Sequence, residues 1–473
     1  MVFNSLEFVI FFAVFYAAYR LLPHRPQNWL LLVASYYFYA AWDWRFLGLL
    51  IGSTVVDYSV ALYLGRPHAP AHRQRVLWIS IAFNLGVLGF FKYYGFFADN
   101  LQNLLASVGV GIALPTLHVI LPIGISFYTF MTMSYVIDVY RREIEPTRDL
   151  LDFAVFVAFF PHLVAGPILR AASLLPQIAK PRTPTREQLS DGAWLVGWGL
   201  VKKVFVADNL ASVVDTVFRN PDASGLEVLI GVYAFAFQIY GDFSGYSDIA
   251  RGLSKWMGIE LNLNFLFPYF VRSPQEFWRH WHISLSTWLR DYLYVPLGGN
   301  RVSRWLTYRN LVVTMVLGGL WHGAAWPFVI WGIYQGLILV AYRGGAELGR
   351  GSRWIAALER PAWKAVGWVV MFHLTCYGWL IFRADSAATI AGMTGALFTN
   401  WATPLPRAGD LALRLLFYAG PLVAVHAWEA WRRDLNAVPR LPLVARYAVC
   451  VALAYLTVLF GQFGGSQFIY FQF

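Results

Sequence analysis

Charged residues are scarce in this chain. Only 13% of its 473 residues are Asp, Glu, Lys or Arg, whereas 58% are hydrophobic and the mean hydropathy is +0.51. A soluble domain carries about 25% charged residues, so this composition excludes a water-soluble globular protein. The 21 tryptophans are typical of membrane interfaces and packed helical bundles. We therefore expect a polytopic helical membrane protein.

The formal net charge of +11 does not indicate a nucleic-acid partner in such a chain. Lys and Arg of membrane proteins concentrate in cytoplasmic loops, where they lie beside anionic lipid headgroups. We therefore expect the lipid bilayer to be the partner of these charges, and no nucleic acid.

Cysteine is also rare. The two cysteines, Cys376 and Cys450, lie inside separate apolar runs, where buried thiols are most often inert packing residues. We expect neither a disulfide nor a metal role for them. No HExxH or Cys/His ligand spacing occurs either, so metal binding by His280, His282 and His322 is not expected.

No GxSxG elbow, Walker loop or Rossmann fingerprint supports hydrolysis, nucleotide-driven transport or hydride transfer.

Long apolar segments are what the sequence has in abundance. They run over Leu6–Leu22, Trp29–Ala41, Phe46–Leu64, Val76–Tyr93, Val119–Tyr140, Leu150–Ile168, Gly192–Val206, Leu226–Ile249, Leu311–Val340, Trp363–Phe382, Leu411–Trp431 and Tyr447–Phe460. A span needs roughly 20 residues, so Leu311–Val340 is long enough to hold two segments. Pro161, Gly166 and Pro167 favour an interrupted helix. We predict one domain over 1–473, with about eleven spans and one or two re-entrant segments.

Loop charges predict an orientation for the first half. The loops Gly65–Arg75 and Tyr140–Asp149 carry three arginines each, whereas Tyr94–Leu117 has no Lys or Arg. This alternation places the basic loops in the cytoplasm and the amino terminus outside. After Ile168 the alternation fails, because strict alternation would place several basic residues outside.

The stretch from Ser273 to His322 concentrates ionisable residues between apolar flanks. Charge at membrane depth costs at least ~2.5 kcal/mol per group and is usually retained for function. We predict a helix that starts at Pro274, with Ser273 as N-cap. One face of this helix would carry Trp278, Trp281, His282, Leu285, Trp288 and Leu289, and Arg279 could share it. Pro296 and Gly298-Gly299 would end it, freeing backbone groups near Asn300 and Arg301.

His322, in the sequence LGGLWHGAAW, allows two interpretations. In the first, Gly318, Gly319 and Gly323 let two helices approach closely, and His322 donates one structural hydrogen bond. In the second, a desolvated neutral imidazole acts as a general base on a hydroxyl nucleophile. His282 faces the same choice, and its Arg279 and Trp neighbours favour function.

Asp242 and Asp248 lie near the end of the apolar run that contains QIYGDFSGYSD. Buried carboxylates are usually paired, so we expect an ion pair with Arg279 or Arg290. Lining of a substrate channel is the alternative.

Several motifs together resemble the membrane-bound O-acyltransferase (MBOAT) family, in particular its bacterial branch that includes the alginate O-acetyltransferase membrane subunit. They are LLLVASYYFYAAWDWRFL, LPIGISFYTFMTMSYVIDVYR, FFPHLVAGPILR, VKKVFVADNLA, QIYGDFSGYSDIARGL, EFWRHWHISLSTWLRDYLYVPLGGNR, LGGLWHGAAW and the terminal FIYFQF. The resemblance implies an all-α transmembrane bundle around a central funnel. It also implies that His322 is the catalytic histidine and His282 the second active-site histidine. Candidate substrate-binding residues are Arg279, Trp321, Asn300, Asp242 and Arg290.

The function implied by this resemblance is O-acetylation of an exopolysaccharide at the bacterial inner membrane. Acetyl-CoA would be the donor substrate, with no bound cofactor, and the acetyl group would pass directly to the polysaccharide or to a periplasmic SGNH-type acetyltransferase partner. Two alternatives remain: D-alanyl transfer to teichoic acid by a related family member, and a transporter without chemistry.

Overall fold

The computed structural model describes residues 1–111, 120–164, 166–349, 361–464 and 468–469, apart from the side chains of residues 361, 362 and 405. Every regular element in these ranges is helical, which confirms the all-α prediction. The end of the predicted loop Tyr94–Leu117, the start of the predicted span at Val119 and most of the FIYFQF motif lie outside the described residues.

The chain divides into two compact units. The first comprises Met1–Gly192 and Ala250–Asn262, and the second comprises Ala193–Ile249 and Leu263–Phe473. Helices of the first unit are α1 (Leu6–Leu21), α2 (His24–Asp43), α3 (Leu47–Leu64), α4 (Pro70–Leu88), α5 (Tyr94–Ser107), α6 (Ile125–Arg141), α7 (Leu150–Ala158), α8 (Phe160–Leu163) and α9 (Ala171–Ile178). The expectation of one domain over 1–473 stays a prediction.

Two helices have residues in both units, namely α10 (Arg186–Leu200) and α12 (Gly225–Trp256). Helices of the second unit are α11 (Asp208–Phe218), α13 (Pro274–His280), α14 (Ile283–Leu289), α15 (Arg304–His322), α16 (Trp326–Leu348), α17 (Pro361–Arg383), α18 (Ala387–Thr399), α19 (Leu405–Arg432) and α20 (Leu443–Phe460). Two π-helical segments, Gly89–Tyr93 and Val201–Ala207, connect successive α-helices without a loop, and a third, Arg290–Tyr294, extends α14 up to the turn that precedes α15.

The helices confirm a polytopic membrane protein. Over the described residues, six stretches are long and apolar enough to cross a membrane: His24–Leu64, Pro70–Ser107, Gly225–Trp256, Trp363–Arg383, Pro406–Arg432 and Leu443–Phe460. Shorter apolar helices accompany them, and the total of about eleven spans stays a prediction. The predicted loop at Tyr94–Leu117 is wrong over Tyr94–Ser107, because a π-helical turn carries the helix on from α4 into α5.

Both sequence signals for divided helices are confirmed. The segment Leu311–Val340 contains the end of α15 and the start of α16. The Pro161 segment breaks at Phe159, between α7 and α8. There the backbone N–H of Phe160 donates to Ser35 Oγ at 3.1 Å, so a side chain satisfies a group that the break has freed.

Polar groups buried in the first unit are held by several hydrogen bonds each. Asp57 on α3 is fully buried, and its carboxylate accepts from Ser80 Oγ at 2.5 Å and from Asn84 Nδ2 at 2.9 and 3.0 Å. Because an unsatisfied carboxylate at this depth is costly, the contacts fix α3 against α4.

Candidate active site

His282 lies at a break between two short helices, which corrects the predicted single helix that starts at Pro274 and is ended by Pro296 and Gly298-Gly299. Ser273 caps α13 as predicted, since its hydroxyl accepts from the backbone N–H of Glu276 at 3.1 Å. The helix then ends at His280, and His282 adopts φ 42° and ψ 54° before α14 begins. Left-handed backbone is uncommon for a residue other than glycine, and its cost is about 1–3 kcal/mol.

Neighbouring backbone and side-chain groups hold this break in place. The carbonyl of His280 accepts from Leu266 N at 3.0 Å, and the carbonyl of Asn264 accepts from Ile283 N at 2.9 Å. The side-chain oxygen of Asn264 also accepts from Ser284 N and Oγ, at 3.3 and 2.9 Å. The segment before α13 therefore supplies the partners that a continuous helix would otherwise provide, and it fixes the backbone on both sides of His282.

His322 is the last residue of α15, and close packing of α15 on α16 determines its position. A Cβ built on Gly332 would lie 2.5 Å from the carbonyl oxygen of Met315 and 2.7 Å from Val316 Cα. A Cβ on Gly319 or Gly323 would collide with Phe328. The predicted role of Gly319 and Gly323 in helix packing is thus confirmed, and it brings His322 beside α16.

The structure brings the two imidazoles together. The ring centroids of His282 and His322 are 6.4 Å apart, and Trp321 lies 5.7 Å from the first ring and 5.0 Å from the second. His282 has no exposed surface and His322 is 5% exposed. Their rings also contact aromatic side chains, with Phe243 at 4.6 Å from His282 and Trp331 and Phe382 at 5.3 and 5.2 Å from His322. We call these six residues the histidine pocket: Phe243, His282, Trp321, His322, Trp331 and Phe382.

Three other predicted site residues lie at the surface of the second unit. Arg279, on the last turn of α13, is exposed, as is Asn300 in the turn after Gly298-Gly299. Arg290 is exposed too, and its Nε lies 2.7 Å from Asp291 Oδ1. The predicted shared face of Arg279 and His282 is wrong, because the helix ends between them.

Asp242 is buried but its partner differs from the predicted one. Its Oδ1 lies 2.8 Å from Lys203 Nζ, which also lies 2.8 Å from Asp208 Oδ1. Asp248 pairs with Lys202. The predicted pairing of these aspartates with Arg279 or Arg290 is therefore wrong: both partners are lysines of the π-helical segment Val201–Ala207. We call Lys203, Asp208 and Asp242 the lysine–aspartate cluster.

Sequence reasoning missed the residues near the carboxyl terminus. The second side-chain oxygen of Asp242 accepts from the backbone N–H of Ile469 at 2.7 Å. The Phe468 ring lies 5.8 Å from the Phe243 ring, and Phe243 in turn packs on His282. In the sequence, the FIYFQF motif contributes only to the family resemblance and indicates no contact with Asp242 or Phe243. The sequence does contain a signal for the lysine–aspartate cluster. Two lysines lie within the apolar run VKKVFVA, and charges buried among apolar residues require partners of opposite charge.

The described residues contain no group of three or more His, Cys, Asp or Glu side chains placed to hold a metal ion. The histidine pocket instead offers two imidazoles among aromatic rings. An imidazole can accept and return a proton near neutral pH, and exclusion of water strengthens its electrostatic interactions with a substrate. The fold is that of a polytopic membrane protein, and its histidine pocket holds two buried imidazoles, a group type that can take part in acid–base chemistry.

Comparison with known proteins gives the family. Residues 53–382 match the model of MBOAT, the membrane-bound O-acyltransferase family, and this range contains both histidines. The chain belongs to that family and is an acyltransferase.

Its relatives include several probable alginate O-acetylases. The chain is 40% identical to "Probable alginate O-acetylase AlgI" of Azotobacter vinelandii, with all of both chains covered. It is 46% identical to the Pseudomonas putida protein of the same name over 84% of this chain and 80% of the relative. A peptidoglycan O-acetyltransferase of Helicobacter pylori is 35% identical over 80% of this chain and 75% of the relative.

Proposed function

We propose that this chain is a bacterial inner-membrane O-acetyltransferase whose donor is cytoplasmic acetyl-CoA and whose final acceptor is an exopolysaccharide of the alginate type. The acetyl group passes to a sugar hydroxyl directly or by way of a periplasmic SGNH-type partner. The observation that carries the proposal is the approach of two buried imidazoles, 6.4 Å between ring centroids. The similarity to probable alginate O-acetylases along the whole chain supports the choice of acetyl group and acceptor.

In the proposed reaction His322 is the general base. It removes the proton from the acceptor hydroxyl, whose oxygen attacks the thioester carbonyl carbon. The resulting tetrahedral intermediate collapses with cleavage of the carbon–sulfur bond, and the proton on His322 passes to the departing thiolate. A thioester is already activated, so positioning of both substrates and stabilisation of the oxyanion supply most of the acceleration.

His282 would orient the donor or stabilise the developing negative charge. Its left-handed backbone and the contacts of Asn264 support a fixed position, which such a role requires. Trp321 contacts both imidazoles and would form the wall between them. Arg279, Arg290 and Asn300 are exposed, so we assign them to the outer part of a bound substrate, where guanidinium groups suit the phosphates of CoA. Substrate binding by Asp242 remains a prediction.

The experiment is acetyl transfer by the purified protein in proteoliposomes. We expect release of free CoA thiol that depends on an acceptor, together with radiolabel from [acetyl-14C]acetyl-CoA on alginate or on the partner protein. The D-alanyl thioester of a carrier protein, offered as an alternative donor, should give no transfer. Accumulation of label in the vesicle lumen without thiol release would identify a transporter and contradict the proposal.

The proposed reaction also requires the predicted membrane orientation, in which the donor enters from the cytoplasm and the acceptor from the outer side. Single cysteines placed in Gly65–Arg75 should resist a membrane-impermeant thiol reagent in intact cells with a permeabilised outer membrane. Cysteines at residues 108–111, beyond the end of α5, should react. The opposite labelling would place the amino terminus inside and reverse the sides from which the substrates enter.

A further inference from the structure

His426, on α19, is a buried histidine outside the histidine pocket and beyond residues 53–382, the range that matches the family. Its Nε2 forms a hydrogen bond of 3.1 Å with the hydroxyl of Tyr240 on α12, and its Nδ1 lies 3.1 Å from Oε2 of Glu429. Glu429 is only 1% exposed. Its carboxylate favours a proton on Nδ1, which leaves Nε2 of a neutral ring to accept from the Tyr240 hydroxyl. We call these three residues the Tyr–His–Glu network.

The imidazole of this network also packs against a strained residue. Phe267 adopts φ 46°, in the left-handed region that is costly for a bulky side chain. The rings of His426 and Phe267 are 5.7 Å apart, in an edge-to-face arrangement. Both residues line a cavity of about 260 Å³. Because one side of Phe267 meets this cavity rather than packed side chains, contacts such as the one with His426 hold it in place.

Phe267 belongs to the segment that holds the backbone around His282. Leu266, the residue before Phe267, donates its N–H to the carbonyl of His280 at 3.0 Å. The strained residue Phe267 thus lies one position after the donor of this hydrogen bond, and the strained residue His282 lies two positions after its acceptor. Packed side chains and hydrogen bonds of this kind carry a displacement from one residue to another. A shift of Phe267 would therefore displace His282.

Tyr240 gives the network a second contact with the same region. Its ring lies 5.7 Å from the Phe265 ring and 6.1 Å from the Trp281 ring. Phe265 lies 6.4 Å from the His282 ring, and Trp281 directly precedes His282 in the chain. The network therefore meets the surroundings of His282 from α12 as well as from the segment before α13.

We propose that His426 and Glu429 are positioning residues for His282. Glu429 fixes the orientation of the His426 ring, which holds Phe267 and Tyr240. These two residues in turn hold the backbone and the aromatic rings beside His282, so that its imidazole keeps one position. The proposal rests on the proposed function, because it concerns how His282 takes part in acetyl transfer.

The test compares acetyl transfer by network variants with His282 present and with His282→Ala. Misplacement of a reacting group by about 1 Å can lower a rate about 100-fold, so we expect His426→Ala to lower the transfer rate about 10- to 100-fold. In the His282→Ala background the same substitution should change the rate less than about twofold, because groups that act as a unit are non-additive. An equal fall in both backgrounds would overturn the proposal, since His426 would then act independently of His282.

Milder variants cover the case in which His426→Ala fails to fold because it leaves the buried Glu429 carboxylate without its partner. Tyr240→Phe removes only a hydroxyl and should lower the rate severalfold. His426→Gln returns a polar atom near the position of Nε2 and should recover part of the rate lost in His426→Ala. Glu429→Gln keeps an oxygen that can accept from Nδ1, so it should be less impaired than Glu429→Leu. Equal rates for each conservative variant and its apolar counterpart would contradict a positioning role.

The matched control is a second Tyr–His pair between α12 and α17. Tyr233 of α12 and Nε2 of His373 form a hydrogen bond of 2.7 Å, and His373 is exposed. His373→Ala therefore removes the same kind of contact from the same pair of residue types, and it should leave the transfer rate unchanged. A response of His373→Ala equal to that of Tyr240→Phe would overturn the proposal.

A readout without catalysis separates this inference from the proposed function. Diethyl pyrocarbonate modifies accessible imidazoles, and mass spectrometry of the digested protein resolves each histidine. His282 has no exposed surface, so it should resist modification in the unaltered protein and become reactive in folded His426→Ala or Tyr240→Phe. If this change occurs although the unaltered protein transfers no acetyl group, the proposed function fails and the positioning of His282 stands. Continued protection of His282 in both folded variants would overturn the positioning role.

Discussion

The histidine pocket and the lysine–aspartate cluster use consecutive residues of α12 in opposite ways. Asp242 and Asp208 share the cation Lys203, whose Nζ lies 2.8 Å from each carboxylate. Phe243, the next residue, packs against His282 in a pocket where two imidazoles meet aromatic rings. A buried cation shared in this way locks a structure, because its removal leaves uncompensated buried charges. A buried imidazole is neutral and keeps the capacity to accept a proton from a substrate, which is what general-base catalysis needs. The comparison predicts that variants of the pocket lose activity and variants of the cluster lose stability.

The largest effect on activity is expected for His322→Ala. Loss of a general base typically lowers the rate 10²–10⁴-fold, whereas the thermal midpoint should change little because aromatic side chains form most of the pocket. Acetyl transfer and thermal unfolding of the same detergent-purified sample give the two values. The matched control is His280→Ala, which alters a half-buried histidine two positions before His282 and should retain activity within a few-fold. Activity of His322→Ala within tenfold of the unaltered enzyme would make His322 a packing residue.

The largest effect on stability is expected for Lys203→Ala. This change leaves Asp208 and Asp242 buried without their shared cation, at a cost of about 3–5 kcal/mol. We expect a sharp fall in the amount of folded protein in the membrane, with transfer per folded molecule reduced far less than in His322→Ala. Quantification of the monodisperse fraction by size exclusion, together with specific activity, checks both parts. Normal stability with lost activity would instead place Lys203 in the chemistry.

An intermediate effect is expected for Gly332→Ala. The added methyl group would meet the backbone of α15 at Met315 and Val316, and overpacking of this kind costs about 1–3 kcal/mol. The shift should also move His322 and lower the rate. Gly345→Ala is the matched control on the same helix, since nothing lies within 4 Å of a Cβ there, and alanine is the better helix former. Equal behaviour of the two variants in melting and transfer assays would show that α15 and α16 do not pack as described.

The smallest effect is expected for Arg219→Ala. Arg219 contacts Asp215 at 3.0 Å on an exposed helix surface, and such pairs contribute about 0–1 kcal/mol. Asp215 also retains Arg383 at 2.8 Å. The variant should match the unaltered protein in both melting midpoint and transfer rate. A loss comparable to that of Lys203→Ala would erase the distinction between exposed and buried pairs.

The fold class and the close helix packing beside His322 could be predicted from sequence because their signals are local. Apolar runs of span length and glycines beside His322 are visible in a few consecutive residues. The break at His282 was not predictable in this way, because Trp278, Trp281 and Leu285 keep a helical spacing across it and no proline or glycine marks it. The break depends on hydrogen bonds that Asn264 accepts and Leu266 donates, and local periodicity carries no information about them.

The partner of Asp242 was missed for a similar reason. The expectation that both aspartates are paired is correct, but the predicted partners, Arg279 and Arg290, belong to another motif of the sequence. Lys203 lies 39 positions before Asp242 and is brought to it by the packing of the π-helical segment Val201–Ala207. Ile469, which donates to the same carboxylate, lies 227 positions away. The need for a partner can be inferred from burial, whereas the choice among distant cations is made by the tertiary structure.

The most direct test of the central claim is a double-mutant cycle on the two histidines. The claim is that His282 and His322 form one catalytic centre, and groups that act as a unit are strongly non-additive in mutant kinetics. Transfer rates would be measured for His282→Ala, for His322→Ala and for the double variant, all shown to be folded by size exclusion and melting. The account predicts that the double variant is about as impaired as His322→Ala alone. Multiplication of the two single defects would mean that the histidines act independently, and it would contradict the account.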